Sequence, residues 1–504
     1  MEIKSLAYIG FCLLVIVLYF FASKRQRLQR DILLAANVFF IWTVCGLKSS
    51  LLLLFYSSLI YILGRVIGRH IENKNKAGAQ AFMWGGIIFC VAFLCYFKFF
   101  NASFEALREI LLGHFDIGSL ITPVGMSYVT LSFIAYLWDV CHKKHKAEEN
   151  YFDFLAFSTY FPSIVEGPVN LYKKLSPQLK EAHSFDYDRA AFGLMRLVWG
   201  YIKKMVIADR IGILVSGVLK DERATGFIVF YVMILYSFQI YTDFSGGIDV
   251  IMGISEILGI KLAENFNAPL ISKSVTEYWQ RWHMSLGEFM EKYIYYQLAL
   301  HRQVMAFSKK LPFKYLQKIF AATFASVVVF VIVGIWHGTG WNYVVYGAYQ
   351  ALFVSSAIFM LPVYKWLKNT FRVKEETPGY RIFMSLRTFF ILVIGRYFIR
   401  AKDLGQTFEL LKRTFVSFNP HAVFDGSLLE YGLDLKNIYI MYIGILIVII
   451  IDILHGNKFK IREAIGRCDI AVRVVIYMLA IFSIIIFGIY GPGFSAASFI
   501  YQEF

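Results

Sequence analysis

Long runs of apolar residues constrain this chain more than any other feature. The stretches 5–23, 81–99, 341–361, 436–454 and 470–490 carry few or no charges. Each is close to the roughly 20 residues that a helix needs to cross a hydrocarbon core of about 30 Å. Shorter or interrupted apolar runs lie at 31–47, 50–64, 121–140, 191–216, 224–241, 245–260 and 319–336. None alternates apolar and polar residues, which argues against a β-barrel. The pattern predicts an all-α polytopic membrane protein with about ten to twelve helices at membrane depth, some of them short or broken. Composition agrees: 58% of the 504 residues are hydrophobic and 17% charged, against about 25% charged in soluble chains.

Residues before Lys24 read Phe20-Phe21-Ala22-Ser23. That is not a small-x-small cleavage site, so the first run reads as a retained helix. The net charge of +16 does not call for nucleic acid, because the basic residues gather beside spans. Lys24, Arg25, Arg27 and Arg30 follow the first run, Arg65, Arg69, Lys74 and Lys76 the third, and Lys143, Lys144 and Lys146 the fifth. By the positive-inside rule these loops are expected in the cytoplasm and the N-terminus outside. Lys458–Arg467 precedes a last span that would leave the C-terminus outside as well. The six cysteines, Cys12, Cys45, Cys90, Cys95, Cys141 and Cys468, sit mostly inside apolar runs. They read as inert thiols, and no metal site is expected from them.

No repeat, low-complexity tract or soluble domain is visible, so residues 1–504 are expected to form one membrane domain. Its middle zone, 141–345, is the most broken. Intramembrane polar residues are costly and are functional candidates by default. Here they include Asp243, Asp249, His283 and His337, with the Glu166-Gly167-Pro168 turn. Between about 261 and 318 no full span is visible, and cytoplasmic or interfacial helices are expected there.

Four segments stand out. In Gly334-Ile335-Trp336-His337-Gly338-Thr339-Gly340-Trp341-Asn342 a histidine separates two apolar runs. A buried neutral imidazole suits a general base; it equally suits a structural histidine bonded to a neighbouring helix. Glu277–Leu286, with Trp279, Trp282 and His283, reads as an aromatic, cationic helix at the interface or as part of a site. In Tyr241–Asp249 two acids and two glycines break an apolar stretch. They would line a polar tunnel, coordinate a cation or cap a helix. Tyr160–Pro168 suggests a re-entrant turn. No Gly-x-Ser-x-Gly elbow, phosphate-binding glycine loop or His-Glu-x-x-His motif is present, which weakens hydrolase, ATPase and metalloprotease readings.

These segments, in this order, resemble the membrane-bound O-acyltransferase (MBOAT) family, and within it the bacterial alginate O-acetyltransferase branch. The resemblance covers about 118–350, the expected catalytic core, with 351–504 as C-terminal transmembrane helices. It rests on Thr122-Pro123-Val124-Gly125-Met126-Ser127, Phe161-Pro162 to Gly167-Pro168, Asp243-Phe244-Ser245-Gly246, Asn265-Phe266-Asn267-Ala268-Pro269, Trp279–Leu286 and Trp336-His337-Gly338, with a tail at Phe499-Ile500-Tyr501. It implies a ring of tilted transmembrane helices, with short interfacial and re-entrant helices, around a central tunnel.

The resemblance also implies roles. His337 would be catalytic, activating an acceptor hydroxyl for attack on a thioester, because an unaided hydroxyl is a poor nucleophile. His283 would be the second catalytic histidine, at the cytoplasmic mouth. Asp243, Ser245, Trp282, Trp336 and Asn342 would line the substrate tunnel. No bound cofactor or metal is expected. The donor would be acetyl-CoA or another acyl thioester, such as an acyl carrier protein. The acceptor would be an extracellular or cell-wall polysaccharide. The expected surroundings are the lipid bilayer of the plasma membrane and an extracellular SGNH-type acetyltransferase partner.

After His283 the sequence departs from the branch. Relatives show an Arg-Asp pair and then Pro-Leu-Gly-Gly, where this chain has Glu291-Lys292 and Gln297-Leu298-Ala299-Leu300. The departure either reshapes donor or partner recognition or marks an interfacial helix with Tyr293, Ile294, Tyr295 and Tyr296 among headgroups. Two rival functions are D-alanyl transfer from a carrier protein to teichoic acid and transport through broken helices; no inverted repeat supports the second.

Overall fold

The computed structural model describes residues 3, 5–100, 125–417 and 419–490, apart from the side chains of 99 and 100. The Thr122-Pro123-Val124 part of the first family segment and the Phe499–Tyr501 tail lie outside the described residues. Within them every regular element is helical, and the only extended pairing is an isolated antiparallel bridge between Phe266 and Trp282.

Seven described helices are long and apolar enough to cross a membrane: Gln26–Glu72, the helix that starts at Lys76, Phe227–Ile257, Lys314–His337, Pro378–Arg400, Leu435–Gly456 and Ile470–Phe487. Trp341–Phe359 and Leu361–Thr370, bent by 62°, make an eighth if counted as one broken span. Leu6–Phe21 and Met126–Cys141 are apolar but shorter. The chain is a multi-pass membrane protein.

Of two expected breaks, one is a kink inside a longer helix and the other is not a break. Runs 31–47 and 50–64 join in helix Gln26–Glu72, which departs from helical geometry at Gly46 (φ 75°, ψ 172°). Runs 224–241 and 245–260 join in helix Phe227–Ile257, which continues through Asp243–Asp249. Its acids do not cap anything; they find cations side-on, so the backbone ladder survives. An intramembrane charge is tolerable when it is paired in this way.

The described residues divide into two compact units. The first draws on Met1–Tyr201 and Gly247–Ala263. Here Arg196 donates to Asp249 at 2.8 Å. Close to that pair, Gly193 and Gly253 let two helices touch: a Cβ on either would lie 2.7 or 2.6 Å from the other's carbonyl oxygen. Small residues permit such approach where helices meet in lipid. The Tyr160–Pro168 segment is a four-residue helix, Phe161–Ile164, and a turn. Asn37 fixes it, donating to the Thr159 hydroxyl at 3.2 Å and accepting from the Phe161 N–H at 2.9 Å. In the same unit Glu148 receives the Glu149 and Asn150 N–H groups, the Tyr172 hydroxyl and the Lys180 ammonium. Burial opposes its ionisation, yet Lys180, Tyr172 and the Asn150 N–H outweigh burial and hold its carboxyl below the usual range.

The second unit draws on Ile202–Gly246 and Glu264–Ile500. As expected, 261–318 holds no span. It contains Val275–Arg281, Met284–Met290, a π-helical turn at Glu291–Tyr295, Tyr296–Ala299 and Arg302–Ser308. The four-residue signature Ser274-x-x-Glu277 starts the first of these, with the Ser274 hydroxyl accepting from the Glu277 N–H at 3.0 Å. Helix Ile470–Phe487 has no buried residue.

Candidate active site

The second unit contains both candidate histidines. His337 is the last residue of helix Lys314–His337 and is buried. The helix stops there because Gly338 is fully extended (φ −170°, ψ 171°). Position 338 has no room for a side chain: a Cβ would fall 2.1 Å from the Tyr343 ring. The chain turns through Gly340 and returns as helix Trp341–Phe359. The two helices then pack with almost no gap. A Cβ on Gly334 would lie 2.3 Å from the Tyr343 carbonyl oxygen, and one on Gly347 would lie 2.4 Å from that of Phe330. His337 is thus fixed at the closed end of a tight helical hairpin.

His283 lies where one expected helix is two. Val275–Arg281 ends, Trp282 is extended, and His283 takes the left-handed conformation (φ 49°, ψ 51°) before Met284–Met290 begins. A non-glycine residue there is uncommon and is held by its surroundings. The strand-like segment Asn265–Asn267 supplies them. The Asn267 N–H donates to the Arg281 carbonyl at 3.0 Å, and the Met284 N–H donates to the Asn265 carbonyl at 3.0 Å. The Asn265 side chain lies 3.3 Å from His283 Nδ1. The imidazole is 1% exposed. Burial among aromatic rings pushes its pKa down to about 3, so it is neutral at pH 7.

Trp336 connects the two histidines. Its ring meets His283 edge-on with centroids 6.0 Å apart and meets His337 at 5.0 Å. Phe244 closes another side of His283 at 5.0 Å. Trp282 stacks on Tyr278 at 5.4 Å. The Arg396 guanidinium sits 5.2 Å from the Trp282 ring and 5.9 Å from that of Tyr278, and it donates to the Tyr278 hydroxyl at 2.5 Å. A desolvated cation over aromatic faces contributes about 2 kcal/mol. The Trp279 N–H reaches Gln350 at 3.1 Å, so Val275–Arg281 is fixed to two membrane helices.

Asp243 and Ser245 flank Phe244 but face cations. Lys204 lies 2.5 Å from Asp243 and 3.0 Å from Asp209, and Lys203 donates to Ser245 at 2.8 Å. The lysines are carried by a π-helical turn, Ile202–Ala208. Asn342, also fully buried, donates to the Phe398 and Ala401 carbonyls at 2.9 Å each. It ties the hairpin turn to the end of Pro378–Arg400.

The geometry therefore brings His283, Trp336, His337, Trp282 and the Asp243–Ser245 stretch into one region. Asn342 serves that region from behind. Lys203, Lys204 and Arg396 were not singled out by their sequence, whereas Asn265 and Tyr278 stand in segments that were. Adjacent lysines inside the run 191–216 were a readable signal; Arg396 gave none beyond polarity. In the Glu291–Leu300 departure Tyr293 is buried, whereas Tyr296 and Leu300 are exposed. The expected row of headgroup tyrosines is thus divided, because a helical turn points neighbouring side chains in different directions.

Fold and site define an all-helical, multi-pass membrane protein with two buried histidines joined through a tryptophan. The sequence model of the MBOAT, membrane-bound O-acyltransferase family, matches residues 142–394, which include both histidines. The chain belongs to that family and is an O-acyltransferase. It is similar to a probable alginate O-acetylase AlgI of Pseudomonas aeruginosa, with 29% identity over 412 residues, 79% of this chain and 71% of that one. It is similar also to a peptidoglycan O-acetyltransferase of Helicobacter pylori, 27% identical over 368 residues, 68% of this chain and 66% of the relative. A teichoic acid D-alanyltransferase of Bacillus subtilis is 28% identical over 313 residues, 60% of this chain and 75% of the relative.

Proposed function

We propose that this protein transfers an acyl group, acetyl in the first instance, from a cytoplasmic thioester to a hydroxyl for O-acetylation of an extracellular or cell-wall polysaccharide. The observation that carries the reading is the pair of buried imidazoles, His283 and His337, joined through Trp336. His337 takes the proton of the acceptor hydroxyl as its oxygen attacks the thioester carbonyl. The new C–O bond forms, the C–S bond breaks, and the proton passes from His337 to the leaving thiolate. His283 stands on the donor side, Asp243, Ser245, Trp282 and Trp336 belong to the walls of the substrate path, and Asn342 holds the hairpin turn behind them. The donor is acetyl-CoA or an acyl carrier protein, and an extracellular SGNH-type acetyltransferase makes the last transfer.

The membrane is the plasma membrane, with the N-terminus outside and Lys24–Arg30, Arg65–Lys76 and Lys143–Lys146 in the cytoplasm. This topology needs two crossings within Gln26–Glu72. Gly46 divides that helix into parts that each have at least the roughly 20 residues a crossing takes.

Acetyl-group names dominate the relatives that cover more of this chain, which favours acetyl over D-alanyl transfer. The test is acyl transfer by protein reconstituted in vesicles, with acetyl-CoA and with a charged carrier protein as donors. His337→Ala is expected to lose at least about 10²-fold in rate while inserting normally. Wild-type turnover by a folded His337→Ala protein would remove His337 from the chemistry.

A further inference from the structure

We propose that Asn265 is a positioning residue for His283: its side-chain carbonyl sets the imidazole as the Nδ1–H tautomer and makes Nε2 the basic atom. The inference rests on reading the His283–His337 region as the site of acyl transfer.

The assignment starts from a group whose role is not open to choice. A backbone N–H can only donate, and the Ser285 N–H points at the Asn265 side-chain oxygen at 3.0 Å. The atom there must be the carbonyl oxygen, so the orientation of this amide follows from its neighbours. The Ser285 hydroxyl is a second donor to the same oxygen, at 2.7 Å. His283 Nδ1 approaches it at 3.3 Å. An amide oxygen offers only lone pairs, so Nδ1 must carry a hydrogen. A neutral imidazole has one hydrogen, and the lone pair is then on Nε2.

The arrangement is built into the backbone. Asn265 is 0% exposed. Its own carbonyl accepts from the Met284 N–H at 3.0 Å, so one residue contacts both the main chain after His283 and the ring of His283. The left-handed conformation at His283 returns the chain toward Asn265, which places Ser285 within reach of the same oxygen. Phe244 and Trp336 offer the ring hydrophobic edges and faces. Asn265 therefore presents a fixed acceptor to one of the two ring nitrogens. A histidine's tautomer is commonly set through the partner of its other nitrogen.

The test uses the full-length protein in lipid nanodiscs with 15N-labelled histidine, the His283 signal being assigned by its loss in His283→Gln. The wild type is expected to show the Nδ1–H tautomer. Asn265→Ala is expected to shift His283 toward Nε2–H, the form that imidazole prefers without a partner. In the acyl-transfer assay Asn265→Ala should lower kcat by about 10–100-fold with KM within about twofold. Asn265→Asp keeps an acceptor and should restore the Nδ1–H signal and much of kcat. A wild-type His283 in the Nε2–H form would overturn the proposal, as would a tautomer unchanged in Asn265→Ala. Asn265→Asp no better than Asn265→Ala in both readouts would do so too. If Asn265→Ala does not fold, the wild-type spectrum and Asn265→Asp still decide. The tautomer readout needs no turnover. Full activity of His283→Gln and His337→Ala would refute the site reading, whereas an Nε2–H wild type with inactive histidine variants would refute the role of Asn265 alone.

Discussion

Replacing Gly334 by alanine tests whether the hairpin that carries His337 works by close fit. The added methyl carbon would start 2.3 Å from the Tyr343 carbonyl oxygen, with Gly347 Cα at 3.1 Å. Ordinary contact between such atoms begins near 3.4 Å, so the two helices must separate by about 1 Å at this level. Both obstacles are backbone, and neither can rotate away. Overpacking of this kind costs about 1–3 kcal/mol, which should lower the thermal midpoint in detergent without abolishing insertion. The larger effect is expected on chemistry. His337 is three residues further along the same helix, and a displacement of about 1 Å at a reacting group can cost about 10²-fold in rate. Gly85→Ala is the matched control. Its Cβ meets nothing within 4 Å, and alanine is the better helix former by about 1 kcal/mol. Acyl transfer in vesicles, normalised to folded protein, should fall steeply for Gly334→Ala and stay unchanged for Gly85→Ala. Equal rates for the two variants would show that the approach of these helices does not position His337.

Lys204→Met is expected to destabilise by about 3–5 kcal/mol, because it removes the cation between Asp209 and Asp243 from a buried network; a thermal midpoint within a degree of wild type would refute this. His283 binds a proton only near pH 3 when folded and near 6.5 when unfolded. Its contribution to stability is therefore complete above about 6.5 and is lost progressively as pH falls toward 3. In His283→Asn the stability difference between pH 7 and pH 5 should shrink, and a difference as large as in wild type would count against the assignment. A cysteine at Lys74 should resist an impermeant external reagent in intact cells; labelling there would overturn the proposed orientation.

Much of the fold was legible because the bilayer imposes a length on each apolar run. The hairpin at His337 was legible for a related reason, since glycines on both sides of one histidine leave few uses for it. What stayed hidden depended on partners distant in the chain. Asp243 and Ser245 looked like a break because the sequence does not show that Lys204 pairs with the first and Lys203 donates to the second, side-on and from about 40 residues earlier. The turn at His283 looked like continuous helix because its cause lies in Asn265, 18 residues upstream. Asn342 stood in the most conspicuous segment, yet its amide bonds went to carbonyls near residue 400, which no local pattern announces.

Helix Ile470–Phe487 has 18 residues and buries none of them. Its apolar side chains have lipid as their principal neighbour, so the solvent rather than the protein decides how well it sits. At 1.5 Å per residue it is about 27 Å long, a few ångströms short of a typical hydrocarbon core of about 30 Å. Such a helix is a gauge of membrane thickness. Thin bilayers should accommodate it upright, and thick ones should force local thinning or draw its flanking residues inward. Acyl-chain length in the surrounding lipid is therefore expected to act first on how this helix sits, at a place remote in sequence from either histidine.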